Sequence, residues 1–498
     1  MNTAVPLKII IVGADISTLT LALLLERAGI DYLLLESNDS VPVVAGGITL
    51  HPNILPLLEQ LMLRDDLLFS SQPLEQVHVL DTDMEYISSY DWSDRRTRYG
   101  AWSRFMSRPE YCNMVLEKLP ESKILFGKIV TSVSTVEHDH EKDQNVEEDD
   151  DPSTIDGRQG SIMDNDNIRD EKCEACGVTV ECADGSIYSS HIMVGDINSG
   201  VERKLLYTSD GGFQHNSQQQ RESDDRLMPV REIHYHVSGI TEALDPQRIP
   251  LLKEDTTQLR LVLDNKSSLS WWVATLVDNR IAWQVTKRVS LSEKSSRPVD
   301  FGHEQAAAAA VVDQISQNMM CPLGGTMAQL LNWTPQSQIS CKRWDDKRAQ
   351  ANAYSSRVLL LGEACHKVVP VFGQASEETI LDALALSEVL FSLPSTNLDD
   401  IQKAFERYHK DRTARRESAI DESRYLDQTL NAKGSLKRMY RSVMLNYLPK
   451  CIYDRRNDEK YSYRPQASFF QDVPDYGQVQ PNASSYLRRH SNRKSEKY

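Results

Sequence analysis

The sequence predicts an α/β protein with three parts: a doubly wound parallel sheet, a second domain on an antiparallel sheet, and a helical C-terminal region. Three observations predict it. Residues 7–37 read as strand, helix, strand. A late apolar strand, Val358 to Leu361, runs into a glycine, a loop and a helix-forming stretch. Between these two segments lie short runs in which apolar and polar residues alternate.

Each element has its own reason. LKIIIVG is a continuous apolar run, as a parallel strand covered on both faces requires. Ile16 to Ala28 carries Leu19 and Leu23 at helical spacing, and Gly29 suits the position just past a helix end. Tyr32 to Glu36 (YLLLE) is the second strand, which completes the nucleotide-binding half of a Rossmann-type fold. Residues 42–65 read as a glycine-containing loop leading into a helix. Ile124 to Val136 and Gly177 to Cys182 read as strands joined by an acidic insertion. Asp184-Gly185 turns into a further strand, Ile187 to Val194. Residues 231–240, 258–264, 270–276 and 280–286 are short alternating strands suited to an antiparallel sheet. Residues 304–332 read as a helical pair containing Ala306 to Ala310, and after Ala385 the chain is mostly helical. Residues 435–447 form a basic amphipathic stretch, for which a membrane-peripheral face and an ordinary solvated face both stay open. The final 50 or so residues are polar and expected to be poorly ordered.

The pattern divides the chain as follows. Residues 1–75, 105–204 and 356–395 form the parallel-sheet domain. Residues 76–104 and 205–355 form the antiparallel-sheet domain, and residues 396–498 the C-terminal helices and polar tail.

A chain of 498 residues has room for two or three such domains. It contains no apolar run long enough to span a membrane. Its N-terminus reads as a first strand rather than a signal peptide, so an intracellular, cytoplasmic location is expected. The net charge is −16. Residues 137–172 hold 14 acidic and 4 basic residues, a net of −10, and read as a solvated loop insertion. That acidity argues against nucleic-acid binding. The eight cysteines are scattered, and Cys173-x-x-Cys176 has no second pair at zinc-site spacing, so no metal site is expected.

The turn after the first strand reads Gly13-Ala14-Asp15-Ile16-Ser17-Thr18. In a dinucleotide fingerprint the first glycine makes the tight turn, the second admits the diphosphate, and the third lets helix and sheet touch. Only Gly13 survives. Asp15 places a carboxylate where a diphosphate should approach, and Thr18 adds bulk at the helix–sheet contact. Glu36, 23 residues after Gly13, ends the second strand where an acid binds ribose hydroxyls.

The segment Arg357 to Ala385, RVLLLGEACHKVVPVFGQASEETILDALA, resembles the second flavin fingerprint of the group A FAD-dependent monooxygenases, the aromatic-hydroxylase fold. STLTLALLLERAGI (17–30), AGGITLHPN (45–53), Arg98-Tyr99-Gly100, Arg108 in SRPEYCNMVLEKL and FFQDVPDYGQVQP (469–481) resemble the fungal branch acting on indole-diterpenes and meroterpenoids. The resemblance implies an FAD-binding domain, a substrate domain, and NADPH and O2 as co-substrates. It implies hydroxylation or epoxidation of a bulky apolar small molecule. Gly13, Glu36, Thr49, Arg108, Glu363 and Ser376 would then hold FAD at a degenerate site. Glu363 stands for an Asp, Gly373-Gln374-Ala375 for Gly-Gln-Gly, and Thr49 for a Gly. At the Gly-Ala-Asp-Gly motif the chain has Gly195-Asp196-Ile197-Asn198, where Asp196 can stand in for the Asp by a shift of register. The strand over 231–241 aligns with one carrying an active-site Tyr, which makes His234 and Tyr235 the candidate catalytic residues. His234 and His236 share a strand face and Tyr235 takes the other. Trp271, Trp272 and Trp283 read as sheet-face packing. His366 and Lys367 read as loop structure.

Two other functions stay open on the same residues. One is a non-redox cyclase or isomerase, whose aromatic, water-excluding pocket would stabilise carbocations. The other is a catalytically inactive binding relative.

Overall fold

The computed structural model describes residues 6–42, 44–135, 177–196, 232–264, 269–290, 309–315, 319–345, 354–362, 374–430, 435–447 and 449–482. The acidic insertion 137–172, Cys173, Cys176, Ile197, Asn198, Ala306, Glu363, His366, Lys367 and Gly373 lie outside the described residues.

Strand β1 (Lys8–Val12), helix α1 (Ile16–Ala28) and strand β2 (Asp31–Leu35) form a strand–helix–strand unit with parallel strands in a six-stranded sheet. Its order is Tyr354–Ser355, Val358–Leu360, Ile192–Gly195, β1, β2, Ile124–Leu125. Only the edge hairpin of Tyr354–Ser355 is antiparallel. Ile9 and Ile11 pack with Leu19 and Leu23 of α1, Tyr111 and Val115, and Leu381 and Leu384. Ile10 and Val12 pack on Val130, Val178 and Val180 of a three-stranded antiparallel sheet. Both faces of β1 are therefore covered, which is why its sequence is apolar throughout. Gly29 ends α1 at φ 72°, with its N–H on Glu26 O and the Ile30 N–H on Leu25 O.

Two stretches expected as single strands are each broken. Ile124–Leu125 lies parallel to β2, whereas Val130–Thr135 pairs with Val178–Cys182. Likewise Ile187–Ser190 joins the small antiparallel sheet and Ile192–Gly195 the parallel one. At the second break His191 is stapled to β1: its N–H donates to Lys8 O and its Nδ1 accepts from Lys8 N, both at 3.0 Å. Alternation of apolar residues continues across such breaks, so pattern alone does not show that a strand changes sheets. The loop expected over 42–65 also contains a strand, β3 (Gly47–Leu50), paired with Arg104–Ser107.

The second large sheet has seven strands in the order Ile339–Asp345, Glu232–Ile240, Ile281–Ser290, Leu269–Thr275, Leu259–Leu263, Gln76–Asp81, Tyr86–Asp91. The expected alternating strands make its centre, and residues 76–91 extend it through a parallel contact, Leu259–Leu263 on Gln76–Asp81. In the stretch expected as a helical pair, described residues form helix at 309–315 and Met327–Asn332, around a turn bridged by Met320 and Thr326.

Beyond helix Gln374–Phe391 come helices Leu398–Leu430, Ser435–Asn446 and Lys450–Tyr461. The expectation of a poorly ordered end is corrected for residues 462–482. They form a strap held by Ala467 N to Gln60 Oε1 (2.7 Å), Ser468 Oγ to Glu388 Oε2 (2.6 Å) and Val479 N to Arg98 O (2.8 Å). Polar composition hid this, because the strap is held largely by hydrogen bonds, with the fully buried Ala467 and the rings of Tyr463, Phe469 and Phe470 packed on the core. Among the described residues no helix is long and apolar enough to cross a membrane, and no cluster of His, Cys, Asp or Glu could hold a metal ion.

Candidate cofactor and substrate site

The carboxyl ends of β1, β2 and Ile192–Gly195 meet at one crevice, the place where doubly wound sheets bind ligands. Gly13 turns the chain there at φ +100°. A Cβ at this position would lie 2.5 Å from Asp196 Oδ1, so both the turn and the buried Asp196 beside it demand glycine. Asp196, the candidate stand-in for a motif Asp, is thus packed on the first fingerprint residue. Glu36 is buried at the end of β2. Its Oε2 accepts from Ala14 N at 2.7 Å, and its Oε1 accepts from Ser37 Oγ, Asn38 N and Asn38 Nδ2.

Asp15 is the N-cap of α1. Its Oδ1 accepts from Ile16 N at 2.8 Å, and its own N–H donates to Thr18 Oγ1 at 2.9 Å. The two departures from glycine are therefore coupled: Thr18 closes a capping box opened by Asp15. The Asp15 carboxylate also takes both oxygens to Arg108 Nη2, at 2.5 and 2.6 Å. Ser107 caps the helix Arg108–Leu116 through Glu110 N, which sets where Arg108 starts. Burial alone would raise the Asp15 carboxyl, but Arg108 and Lys342 outweigh it and hold it at about 2. The nearby Cys112 thiol is pushed up to about 12 by burial and by Asp15, so it is not a thiolate nucleophile at neutral pH.

Lys342 belongs to the seven-stranded sheet, opposite His236 in register. It thus links the crevice at the end of β1 to the face bearing His234, His236 and Ser238. Ser238 donates to Ala45 O at 2.7 Å and Ser340 Oγ accepts from Ala45 N at 2.7 Å, so this face looks toward the loop before β3. His234 and His236 are buried, with ring centroids 6.1 Å apart. Burial, His234 and Lys342 press His236 down to about 3, so it is neutral. Its Nδ1 lies 2.9 Å from Thr286 Oγ1 and 3.1 Å from Gln284 Nε2. Alternation puts Tyr235 on the opposite face, with Val237 and the core around Trp271 and Trp283. The indoles of Trp271 and Trp283 donate to Met320 O and Thr334 Oγ1, which makes them core residues. Trp272 packs edge-on to Phe105 across the sheet.

Thr49 is buried on β3, opposite Phe105 in register. Ser376 is half-buried in the first turn of Gln374–Phe391. Beside it lies a polar cluster that sequence reasoning missed. Glu377 Oε1 is 3.9 Å from His51 Nε2, and both side chains are buried. His51 Nδ1 is 2.9 Å from Ser103 Oγ, and Arg95 reaches His51 and Tyr461 OH. His51 stands in the AGGITLHPN segment, but Glu377 reads in sequence as one of three ordinary helix glutamates.

FAD fits most of this site. The buried Glu36 carboxylate at the end of β2 suits ribose hydroxyls, the tight Gly13 turn admits a close backbone approach, and the Arg108 guanidinium lies at a helix N-terminus where a diphosphate binds. The one disagreement is the Asp15 carboxylate at that same place.

A crevice over a parallel sheet, facing a second sheet, is a fold shared with solved flavin hydroxylases. The structure aligns with Klebsiella pneumoniae HpxO complexed with FAD and uric acid at TM-score 0.62 and 18% identity, over 93% of this chain and 98% of that one. It aligns with 2,6-dihydroxypyridine-3-hydroxylase from Arthrobacter nicotinovorans at TM-score 0.58 and 16% identity, over 87% and 95%. No family model matches the sequence. Its curated homologues are fungal FAD-dependent monooxygenases. It is 22% identical to janM of Penicillium janthinellum over 84% of this chain and 76% of that one, and 24% identical to paxM of Penicillium paxilli over 77% and 69%.

Proposed function

We propose that the chain is an FAD-dependent monooxygenase of secondary metabolism, which hydroxylates or epoxidises a bulky apolar small molecule with NADPH as reductant. The observation that carries the reading is the buried Glu36 carboxylate on Ala14 N, with Arg108 at the start of α1, in a chain whose homologues are such enzymes. The chemistry FAD supplies when bound is reduction by a nicotinamide and delivery of one oxygen atom of O2 to a substrate. The chain's own residues have the remaining tasks. Glu36 would accept hydrogen bonds from the ribose hydroxyls, Arg108 would face the diphosphate, and Thr49 and Ser376 would lie toward the ring. By the resemblance alone, Glu363, outside the described residues, would hold the ribityl chain. The face bearing His234 and the neutral His236, with the loop pinned by Ser238 and Ser340, would border the substrate side.

The test is the absorbance spectrum of the purified protein, followed by heat release and quantification of flavin. Flavin bands near ~450 nm, after purification or after loading with FAD, are expected. NADPH oxidation that rises with an apolar polycyclic substrate is expected as well. A colourless protein that takes up no FAD from a saturating solution would sink the reading.

A further inference from the structure

The start of α1 is an anion position by three independent features. It is the N-terminus of a 13-residue helix, it faces the Arg108 guanidinium, and Lys342 acts on the same point from the opposing sheet. In this chain the anion is already present, supplied by residue 15. Its carboxylate takes the helix N–H of Ile16 and both contacts to Arg108, and the pair is largely buried, with side chains 13% and 15% exposed.

We propose that Asp15 is an internal substitute for the cofactor's diphosphate, which neutralises Arg108 and Lys342 and must swing away before a dinucleotide docks. This rests on the FAD reading of the crevice. Three consequences follow from the geometry. With no cofactor bound, Asp15 leaves the Arg108 guanidinium paired. A diphosphate entering with Asp15 in place meets like charge at hydrogen-bond range, which is a strongly unfavourable juxtaposition. Asp15 is thereby a specificity-determining residue: it sets the threshold of affinity a cofactor must exceed. Thr18 belongs to the same device, since its hydroxyl accepts from Asp15 N and holds the cap in register. At the two positions that depart from the fingerprint glycines, the carboxylate and the hydroxyl are complementary halves of one cap.

The experiment titrates the full-length protein, freed of any bound flavin, with FAD and separately with ADP, by fluorescence and calorimetry. Asp15→Asn keeps a capping oxygen and removes only the charge. Asp15→Gly also removes the bulk, and circular dichroism checks that each variant is folded. The expected result is a Kd at least about tenfold lower for both ligands in Asp15→Asn, equivalent to 1.4 kcal/mol, with Asp15→Gly no weaker. Wild type that binds FAD, beside an Asp15→Asn variant that binds FAD and ADP no more tightly, overturns the inference and leaves the FAD reading standing. Tighter ADP binding by both variants with no FAD uptake by any form overturns the FAD reading and leaves the internal anion standing.

Discussion

Glu377 shows what burial does to one residue. It lies in the first turn of helix Gln374–Phe391, with Lys460, Glu378, Arg95, Glu422 and His51 around it. Burial is the largest influence, and it pushes the carboxyl from 4.5 up to about 8 against the pull of Lys460. The folded state therefore holds this proton more tightly than the unfolded state. That contribution is complete below about 4.5 and is lost as pH rises toward 8. Stability is expected to fall with rising pH across that window by up to about 1.4 kcal/mol per pH unit from this group. Glu377→Gln should flatten the decline, read as the urea midpoint at pH 5, 6.5 and 8; parallel curves for the two proteins would refute the assignment. The sequence showed Glu36 plainly, because the distance from a β1 turn to the end of β2 is set by local chain geometry. It showed neither the Glu377–His51 contact nor the Asp15–Arg108 pair. Those partners are 326 and 93 residues apart, and only the closed fold brings them together.

At the scale of elements, the long helix Leu398–Leu430 shows how charge can stand in for apolar packing. Its Arg412 is fully buried and reaches Asp382 Oδ1 through Nε at 2.6 Å and Glu378 Oε2 through Nη2 at 2.5 Å. Removing one partner leaves an uncompensated charge in the interior. Arg412→Leu alone is expected to cost about 3–5 kcal/mol, while Arg412→Leu with Asp382→Leu should recover much of it. Denaturant midpoints of the two single variants and the double variant measure the coupling, and additive losses would show that the pair is not the anchor. The helix itself was legible from its polar–apolar period. Arg412 was not, since it sits among five other Lys and Arg residues of residues 403–416 that look alike in sequence. Strand identity was legible in the same partial way: alternation marked the central strands of the large sheet, but not Ile339–Asp345 at its edge or the switch of sheets at His191.

At the scale of the whole molecule, the two large sheets are held together by short polar ties and by the C-terminal strap. Ser238 and Ser340 fix the loop before β3 to the seven-stranded sheet. Residues 462–482 tie Gln60 and Glu388 of the parallel-sheet domain to Arg98, next to the strand Tyr86–Asp91 region. Arg464 anchors the strap within itself through Asp475 Oδ2 and Val479 O, each at 2.5 Å. The strap therefore closes the structure from outside, and its removal would loosen the contact of the two sheets on which the site depends. Ala467 is the point where this is most easily tested: it is fully buried, belongs to the main core and bonds Gln60 through its N–H. Ala467→Asp inserts an unpaired charge there and is expected to cost more than about 3 kcal/mol. Because the strap spans both sheets, the loss should lower one common thermal transition, seen alike by tryptophan fluorescence, which reports the seven-stranded sheet, and by far-ultraviolet circular dichroism, which reports the helices. Two separated transitions in the variant would mean that the sheets fold independently and that the strap is a decoration of one of them.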